Sequence, residues 1–518
     1  MSNEMVVNAL GRAVPMVVNG AERVAFAGVG GYRPGGRRAA PGISTFIDYP
    51  NGVKLVGSLR EALEKSGLRD GMTIGTHHHF RMGDIISNQI FEIAAEMGVK
   101  DLMWFPSASF PCHEPMIGYM ESGVIHHIEG SLNGPLGRYC SQGKMKGVGV
   151  LRSHGGRYRA IRDGDVHVDI AVIAAPTADA FGNCNGTYGS SACGPLGFAL
   201  PDSMYADKVI VVTDNLVPTP CYPPWHIEGN YVDYVVEVEK VGIPEKILSG
   251  TTEITKSPNQ LLIAELAARF VKASGILRDQ MNFQAGAGGI SLAFTDFLHN
   301  IMAQEGMRAR CIIGGITGLA VDMLEKDFAD YLIDGQAFDQ AAIENMRGNI
   351  RHIPISTFHA YDYHSKGNLT SFMDVIVLGA TEVDVNFNAN VVTHSDGLLL
   401  HGIGGWQNCL LAKCTILAMP SFRNRTPVIR DEVTTVTGPG ELVDVVVTER
   451  GLAINPRRTD LIEATKGSGL PIRSIEEIKE EVEGICGGPP AKAQVSDKVV
   501  AVIEWVDGTL LDSVFQVL

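Results

Sequence analysis

The chain has 518 residues, of which 45% are hydrophobic and 19% are charged, and its formal net charge is −15. This composition is typical of a globular protein, and the length is sufficient to bury at least two ordinary domain cores. The acidic balance argues against a nucleic-acid-binding protein, which needs a basic face. An anionic ligand would gain nothing from the overall field and would need a local positive pocket.

Membrane and secretion signals are not found in the sequence. No apolar run approaches the roughly 18 residues that a membrane helix needs, and the segment MSNEMVVNALGR lacks the layout of a secretory signal. The cysteines form no CxxC pair, and the closest two, Cys409 and Cys414, have no partners that complete a zinc pattern. We therefore expect a cytoplasmic protein with free thiols and no membrane span.

The first clear element is GMTIGTHHHFRMGDIISNQIFEIAAEMG (71–98), which predicts a strand, a tight turn and an amphipathic helix. The turn carries His77, His78, His79 and Arg81. In an extended segment, His77 and His79 point to one side, so at most two of the imidazoles share a face. A zinc site uses three or four ligands, which disfavours a metal site. The histidines could also simply tie down the turn. An anion-binding cradle is favoured, because the guanidinium of Arg81 can grip a carboxylate with two donors.

The same plan recurs later in the chain, which predicts an internal repeat. The segment 280–306 also shows a strand, a turn and a helix, 167–183 matches 372–388, and 206–215 matches 411–420. The offset between the paired segments is nearly constant. Two unrelated α/β domains with similar strands remain the alternative interpretation.

Short β-branched runs such as VIVV and DVIVLGA are typical of strands that are buried on both faces. Helical patterns lie between some of them, including 257–274, which has Ser257 as a candidate N-cap and Pro258 at the first helical position. The sequence therefore predicts an α/β protein with two tandem, structurally similar domains, each a mostly parallel sheet with flanking helices. We expect a lead-in (1–55), a first domain (56–240) and a second domain (241–518). The charged segment 474–485 is predicted to be a solvated helix.

Two glycine clusters are candidate anion sites. In the second half, the turn that corresponds to the histidine turn reads Gly286-Ala287-Gly288-Gly289 and leads into a helix. Its backbone N–H groups and the helix N-terminus can hold a phosphate, a carboxylate or an oxyanion. The segment LLLHGIGGWQNC (398–409) is a second such loop, with Gly402, Gly404 and Gly405. A turn with only a packing role remains an equally open interpretation for each cluster alone.

Together, GTHHHFRMGD, WFPSASFPCHEP (104–115), NFQAGAGGISLAF (282–294) and HGIGGWQNC (401–409) resemble the α subunit of bacterial citrate lyase over nearly the whole length. More distantly, both halves resemble the halves of the CoA-transferase fold, whose order is followed by MNFQAGAGG, VIVLGATEVD, GIGG and VVVTERGLA (445–453). The resemblance implies that each domain is CoA-transferase-like and that the substrate is citrate.

One stretch departs from the CoA-transferase pattern. Enzymes of this fold carry a nucleophilic glutamate in a Glu-x-Gly signature after the glycine turn. Here the region reads ARCIIGGITGLA (309–320), where the glutamate position falls near Ile316 and no carboxylate is present. A glutamyl thioester cannot form from this segment. The resemblance to citrate lyase accordingly implies that citrate supplies its own carboxylate.

The reaction that the resemblance implies is a transfer of the thioester from acetyl to citrate. A citrate carboxylate attacks the acetyl thioester, a mixed anhydride forms, and the thiolate then attacks the citryl carbonyl and releases acetate. We expect the backbone of Gly288, Gly289, Gly404 and Gly405 to stabilise the oxyanions. The substrate-binding candidates are His77, His78, His79, Arg81, Gly286 and Gly402.

The resemblance also implies the co-substrate and the partners. The thioester is carried on CoA or on the CoA-derived group of an acyl carrier protein, and we expect no cofactor or metal bound by this chain. An acyl carrier protein subunit and a citryl-thioester lyase (beta) subunit are the expected partners, in a complex where this chain is a homo-oligomer. The cluster Arg33, Arg37 and Arg38 could meet phosphates of the carrier's prosthetic group, although loop arginines are more often only solvated.

Several alternatives stay open at this stage. Glu382, in GATEVD, matches Thr177 in the repeat and could be a base, a substrate orienter, the nucleophile of a covalent glutamyl-thioester route, or only a strand-end carboxylate. A non-catalytic acyl-CoA or anion sensor and a metal-dependent hydrolase that uses the histidines are further readings. The sequence does not separate citrate from a close relative such as citramalate.

Overall fold

The computed structural model describes residues 4–32, 54–222, 225–248, 252–286, 288–364 and 366–518. The strands of the N-terminal part are β1 (Met5–Val7), β2 (Ala13–Pro15), β3 (Val17–Val18), β4 (Ala21–Glu22), β5 (Leu55–Val56), β6 (Thr73–Thr76), β7 (Leu102–Pro106), β8 (Ile125–Gly130), β9 (Gly149–Leu151), β10 (Ile170–Ala175), β11 (Thr177–Asp179), β12 (Cys184–Asn185), β13 (Lys208–Thr213), β14 (Leu216–Val217) and β15 (Tyr234–Glu237). The helices are α1 (Leu59–Lys65), α2 (Ile86–Glu96), α3 (Met116–Glu121), α4 (Gly134–Ser141), α5 (His154–Asp163), α6 (Leu200–Tyr205) and α7 (Pro244–Ile247).

The C-terminal part repeats this alternation of strands and helices. Its strands are β16 (Met281–Ala285), β17 (Ala309–Ile316), β18 (Ala329–Ala337), β19 (His352–Pro354), β20 (Val375–Leu378), β21 (Glu382–Asp384), β22 (Ala389–Asn390), β23 (Thr415–Ala418), β24 (Phe422–Arg423), β25 (Thr426–Pro427), β26 (Ile429–Arg430), β27 (Val445–Thr448), β28 (Gly451–Ile454), β29 (Val495–Glu504) and β30 (Leu510–Val517). Its helices are α8 (Pro258–Ala273), α9 (Gly289–Glu305), α10 (Gly318–Glu325), α11 (Gln340–Gly348), α12 (Thr357–Ala360), α13 (Trp406–Cys409), α14 (Thr459–Ala464) and α15 (Ile475–Cys486).

Two large sheets carry the fold, and their strand orders correspond. The first runs β9-β8-β7-β6-β10-β13-β15, with further strands at both edges, and the second runs β19-β18-β17-β16-β20-β23-β27-β28. The central strands pair in parallel in both sheets. The predicted α/β class with two similar, mostly parallel units is therefore confirmed.

An equivalent contact occurs at the same place in both halves of the repeat. Asp169 accepts a hydrogen bond from the backbone N–H of Thr73 (2.7 Å), and Asp374 accepts one from Asn282 (2.8 Å). Both carboxylates thus join the start of one central strand to its neighbour, β6 to β10 and β16 to β20. Each carboxylate satisfies a backbone N–H donor that would otherwise be costly to bury.

The ends of the chain meet on the first sheet. β29 pairs in parallel with β9, and β30 pairs antiparallel with β29. The N-terminal segment also lies there, since Phe26 N–H donates to Leu510 O at 3.0 Å. The predicted domain boundaries remain predictions. Residues 495–517, which fall in the range predicted for the second domain, form strands of the first sheet. The internal repeat does not extend to these strands, so no sequence pattern indicated their pairing.

Two of the predicted helices form as expected, with differences in detail. α8 begins at Pro258, but the Ser257 side chain makes no capping hydrogen bond. α15 begins after Ser474, which forms a capping box with Glu477, and it buries Ile475, Ile478 and Val482. It is therefore an amphipathic helix on the core surface and not a fully solvated one. No helix among the described residues is long and apolar enough to cross a membrane.

Candidate active site

The histidine turn lies at the C-terminal end of β6, next to the loops that follow β7 and β9. Ligands of open α/β sheets collect at this edge. Ser107 follows β7, and His154 begins α5 three residues after β9. Both residues contact the histidine turn, so the ends of β6, β7 and β9 contribute to one site.

His78 is fixed from several sides. Ser107 Oγ accepts the backbone N–H of His78 at 3.0 Å and lies 2.6 Å from its Nδ1. The His78 ring stacks on His154 at 5.0 Å between centroids and 13° between planes, and Phe198 packs against both rings. The side chain of Gln336, in β18 of the second sheet, is a further hydrogen-bond partner.

Burial determines the electrostatic state of these imidazoles. Burial, followed by the neighbouring imidazoles, lowers the pKa of His78 and His79 well below the usual value. Burial also lowers the pKa of His154 to about 3. Burial thus favours the neutral form of His78 and His79, which leaves Arg81 as the cation of the expected anion-binding cradle.

His77 and His79 lie on the same side of the turn, as the alternation predicted. Their rings stack at 5.7 Å and 15°. His77 Nε2 lies 3.1 Å from Asp202 Oδ2, but the angles do not fit a hydrogen bond. Arg157 donates two hydrogen bonds to the Asp202 carboxylate, at 2.6 and 2.7 Å. Although burial opposes ionisation, Arg157 and His77 hold the pKa of Asp202 well below its usual range. Both nitrogens of His79 are buried and make no hydrogen bond to any described residue.

Arg81 supplies the positive charge of the turn. Its Nη2 donates to Ala337 O at 2.9 Å, and its guanidinium lies 4.4 Å above the Phe338 ring. Burial lowers its pKa to about 10, against the influence of Cys193 and two aspartates, so the side chain remains a cation near neutral pH. Its Nη1 is buried and has no hydrogen-bond partner among the described residues. Arg81 thus joins the two halves and keeps one donor available.

The glycine loop of the second half reaches the same place. Gly404 O accepts the backbone N–H of His154 at 2.8 Å, and Gly155 N–H donates to Asn408 at 3.1 Å. A Cβ on Gly405 would lie 3.2 Å from Tyr361 Oη, so Gly405 has close neighbours. Gly402 differs from its neighbours because its N–H donates to Asn133 Oδ1. Gly402 is therefore not free to donate to a ligand.

The glycine turn after β16 opens onto a helix. α9 begins at Gly289 with Gly288 as its N-cap, while Ala287 lies outside the described residues. The first N–H groups of a helix have no partner within the helix. Gly286 N–H is directed at Val377 O at 3.4 Å, which is a long contact. Gln284, at the end of β16, bonds Cys409 of the glycine loop and connects the two glycine segments.

Glu382 occupies a structural position. It begins β21, as Thr177 begins β11, which agrees with the predicted match. Its Oε1 accepts from Arg430, Ser395 Oγ (2.6 Å) and Thr434 Oγ1 (3.2 Å), while Oε2 accepts from Asn390 Nδ2 (3.0 Å) and Thr434 N (2.9 Å). A fully buried carboxylate with both oxygens bonded in this way is not poised to attack a thioester.

Several site residues were missed by the sequence reasoning. His154, Phe198, Asp202 and Arg157 are distant in sequence from the histidine turn, and the helix start HGG offered only a weak signal. Ser107 lay within a quoted motif but received no role. Arg33, Arg37 and Arg38 lie outside the described residues. Among the described residues, the grouping that could hold a metal is His167, Asp169 and Asp207, which contains none of the turn histidines.

The paired sheets, with loops of both halves meeting at the strand ends, define an α/β protein of the CoA-transferase type. A solved chain of a Pseudomonas malonate decarboxylase hetero-tetramer in complex with malonate shares this fold, with a TM-score of 0.61 at 16% identity over 85% of this chain and 84% of that one.

Nearer relatives identify the family. The model for the citrate lyase alpha subunit matches residues 52–517. The citrate lyase alpha chains of Haemophilus influenzae and Escherichia coli are 40% and 39% identical over 466 residues, which cover 90% of this chain and 93% and 91% of theirs. A solved alpha subunit of citrate lyase from Streptococcus mutans, in complex with citrate, has a TM-score of 0.94 at 41% identity and covers 99% of this chain and 100% of that one. The chain belongs to the family of citrate lyase alpha subunits.

Proposed function

We propose that the chain transfers an acyl-carrier thioester from acetyl to citrate and that citrate itself is the nucleophile. The observation that carries this proposal is the set of buried nitrogens on His79 and Arg81 that have no hydrogen-bond partner among the described residues. They lie in the turn whose His78 stacks on His154, and His154 in turn bonds Gly404 of the glycine loop. Buried polar groups are normally hydrogen-bonded. Donors left without partners at strand ends are therefore groups that a polar ligand would satisfy.

Arg81 holds one carboxylate of citrate in this proposal. Its guanidinium remains charged near pH 7, and Nη1, which has no partner in the described part of the chain, lies in a buried setting where an ion pair is stronger than in water. His79 serves as a neutral hydrogen-bond donor. His78 acts indirectly, because its bonds to Ser107 and its stack on His154 fix the turn. The site therefore recognises citrate by the positions of its hydrogen-bond donors. Arg81 provides the positive charge, and the imidazoles of His78 and His79 are neutral.

The glycine segments stabilise the charge that develops during the reaction. A carboxylate oxygen of citrate attacks the acetyl carbonyl, and the thiolate leaves as the mixed anhydride forms. The thiolate then attacks the citryl carbonyl, and acetate leaves. Both steps pass through tetrahedral oxyanions. The N–H groups of Gly288, Gly289, Gly404 and Gly405 are the proposed donors, and one such donor is typically worth about 100- to 1,000-fold in rate.

A side-chain nucleophile has little support. The segment 309–320 has no carboxylate, and both oxygens of Glu382 are occupied. The covalent glutamyl route therefore lacks a candidate at the expected position. The co-substrate is an acetyl thioester on CoA or on the CoA-derived group of an acyl carrier protein, and the proposed partners are that carrier and a citryl-thioester lyase subunit. We propose no metal or resident cofactor for this step.

Acetate release tests this proposal directly. The full chain is incubated with acetyl-CoA, with and without citrate, and hydroxylamine is then added to trap any acyl-protein. We expect acetate only when citrate is present and no modified glutamate or aspartate after acetyl-CoA alone. Acetate release without citrate, or an acyl-protein that hydroxylamine converts, would contradict the proposal. Citramalate, assayed beside citrate, shows how many carboxylates the site requires.

A further inference from the structure

Two adjoining cavities lie at the boundary between the halves, beside the candidate active site. One has a volume of about 380 Å³ and the other about 350 Å³, and both are lined by His226, Ile353 and Pro354. Together they form one groove, which we call the boundary groove. No carboxylate lines it in the part of the chain that the structure describes. The lining therefore contains no group that repels an anion.

Both walls of the boundary groove lead to the glycine loop and His154. On one wall, Gly197 precedes Phe198, whose ring packs against His154 at 4.5 Å between centroids. The other wall continues through α12 to Tyr361, whose hydroxyl lies 3.2 Å from the position that a Cβ of Gly405 would take. The inner end of the groove is thus directed at the proposed oxyanion donors.

The two walls touch at this inner end. A Cβ on Gly197 would lie 2.2 Å from Ile355 O, and Thr357 N–H approaches Gly197 O at 3.4 Å. A hydrogen bond of this length is weak, so the contact costs little to open. A ligand that enters from the groove reaches the glycine loop where these walls separate.

Arg347 supplies a cation to the larger cavity. Its Nε donates to Thr187 O of the first half at 2.6 Å, and its guanidinium lies 5.5 Å from the centre of the Tyr188 ring. It forms no ion pair with a described residue, whereas Arg351, four residues further on, pairs with an aspartate at 3.0 Å. Like Arg81, it joins the halves through a backbone carbonyl and has further N–H groups for an anion.

The remainder of the groove suits an uncharged chain. His226 Nδ1 accepts the backbone N–H groups of Gly186 (3.2 Å) and Leu196 (3.3 Å), so the hydrogen of the neutral ring lies on Nε2. Burial lowers the pKa of His226 to about 4, which keeps the ring neutral near pH 7. The smaller cavity adds apolar walls, where Trp225 and Ile353 are 36% and 43% exposed. A neutral donor between apolar walls fits a chain in which methylene groups alternate with amide carbonyls.

We propose that the boundary groove binds the arm that carries the thioester, with a phosphate at Arg347, an amide carbonyl at His226 and the thioester end at the glycine loop. The order of these features along the groove is the order of the groups along a phosphopantetheine arm. This inference rests on the proposed function, which requires a thioester on CoA or on a CoA-derived group. It gives the two substrates separate arginines, Arg81 for citrate and Arg347 for the arm.

Two acetyl thioesters that differ by one phosphate, acetyl-phosphopantetheine and acetyl-pantetheine, test the role of Arg347. Citrate-dependent acetate release by the full chain gives kcat/KM for each, and their ratio cancels any loss of folded protein. We expect wild type to favour the phosphate-bearing thioester about tenfold or more. Arg347→Met should reduce this preference to below about twofold, with citrate KM unchanged. Arg351→Met is the matched control and should keep the wild-type preference.

A second variant tests the apolar part of the groove. Trp225→Ser should lower kcat/KM for both thioesters about tenfold without changing their ratio, because the indole contacts the chain and not the phosphate. An unchanged preference in Arg347→Met, no preference in wild type, or wild-type kcat/KM in Trp225→Ser would overturn the inference and leave the proposed function in place. Wild-type protein that releases no acetate from either thioester or from acetyl-CoA would overturn both.

Discussion

The two turns that follow β6 and β16 occupy the same position in the two sheets but use different chemistry. The first turn fills its space with imidazoles and a guanidinium, and His77, His78, His79 and Arg81 are all buried. The second is made of small residues and begins a helix at Gly289. A duplicated fold thus provides side-chain donors in one half and backbone donors in the other.

This difference suggests a division of labour. Side chains can hold a substrate carboxylate at a fixed distance, whereas backbone N–H groups present donors without a side chain in the way of the reacting carbonyl. The segment 398–409 connects the two turns, since Gly404 bonds His154, which stacks on His78, while Cys409 bonds Gln284 in β16. Changes in the first turn should therefore act on citrate binding, and changes in the second should act on the rate of transfer.

Removal of the cation should give the largest effect. Arg81→Met keeps an apolar side chain over Phe338 but removes the charge, and we expect kcat/KM for citrate to fall about 100-fold or more, since losing one partner of a buried charged contact costs several kcal/mol. Steady-state acetate release measures it. Arg69→Met, at an exposed arginine, is the control. A loss below about threefold would remove Arg81 from the site.

The two kinds of histidine in the first turn should separate function from stability. His79→Gln removes nitrogens that bond none of the residues the structure describes, so we expect citrate KM to rise about 10- to 100-fold with little change in Tm. His78→Gln breaks the contacts with Ser107 and His154 and should lower Tm as well. Thermal unfolding and kinetics are compared for both. If His79→Gln lost stability instead of affinity, its side chain would be structural.

A substitution in the second turn should lower the rate of transfer. A Cβ on Gly288 meets no atom within 4 Å, and its φ of −73° suits any residue. Gly288→Ala should therefore keep the fold, while the methyl group narrows the approach to the helix N-terminus and lowers kcat about tenfold. Single-turnover acetate release gives this rate. An unchanged kcat would mean that the turn does not face the reacting groups.

The smallest effect on turnover is expected at Glu382. Glu382→Gln breaks a buried ion pair with Arg430, which costs about 3–5 kcal/mol of stability, but kcat of the folded protein should change less than about threefold. Denaturant unfolding and kinetics are measured together, with Glu432→Gln, at an exposed carboxylate, as the control. A stable variant with no activity would restore the covalent route.

The parts of the fold that local pattern determines could be predicted from the sequence. The repeated strand, turn and helix segments were visible because each contains its own apolar run and turn residues. The position of Arg81 against Ala337, and of Gly404 against His154, could not be foreseen, because these contacts join segments that are distant in sequence. The neutral state of His78 also depends on burial by Phe198 and His154, which no local motif records.

The central claim is that the oxygen which carries the acyl group comes from citrate. Citrate labelled with ¹⁸O in its carboxylates, reacted for a single turnover with an acetyl-loaded carrier, distinguishes the two routes, because the bridging anhydride oxygen leaves with acetate. The account predicts ¹⁸O in the first acetate released and none in the protein. Unlabelled acetate in the first turnover, with ¹⁸O in a protein carboxylate, would contradict it.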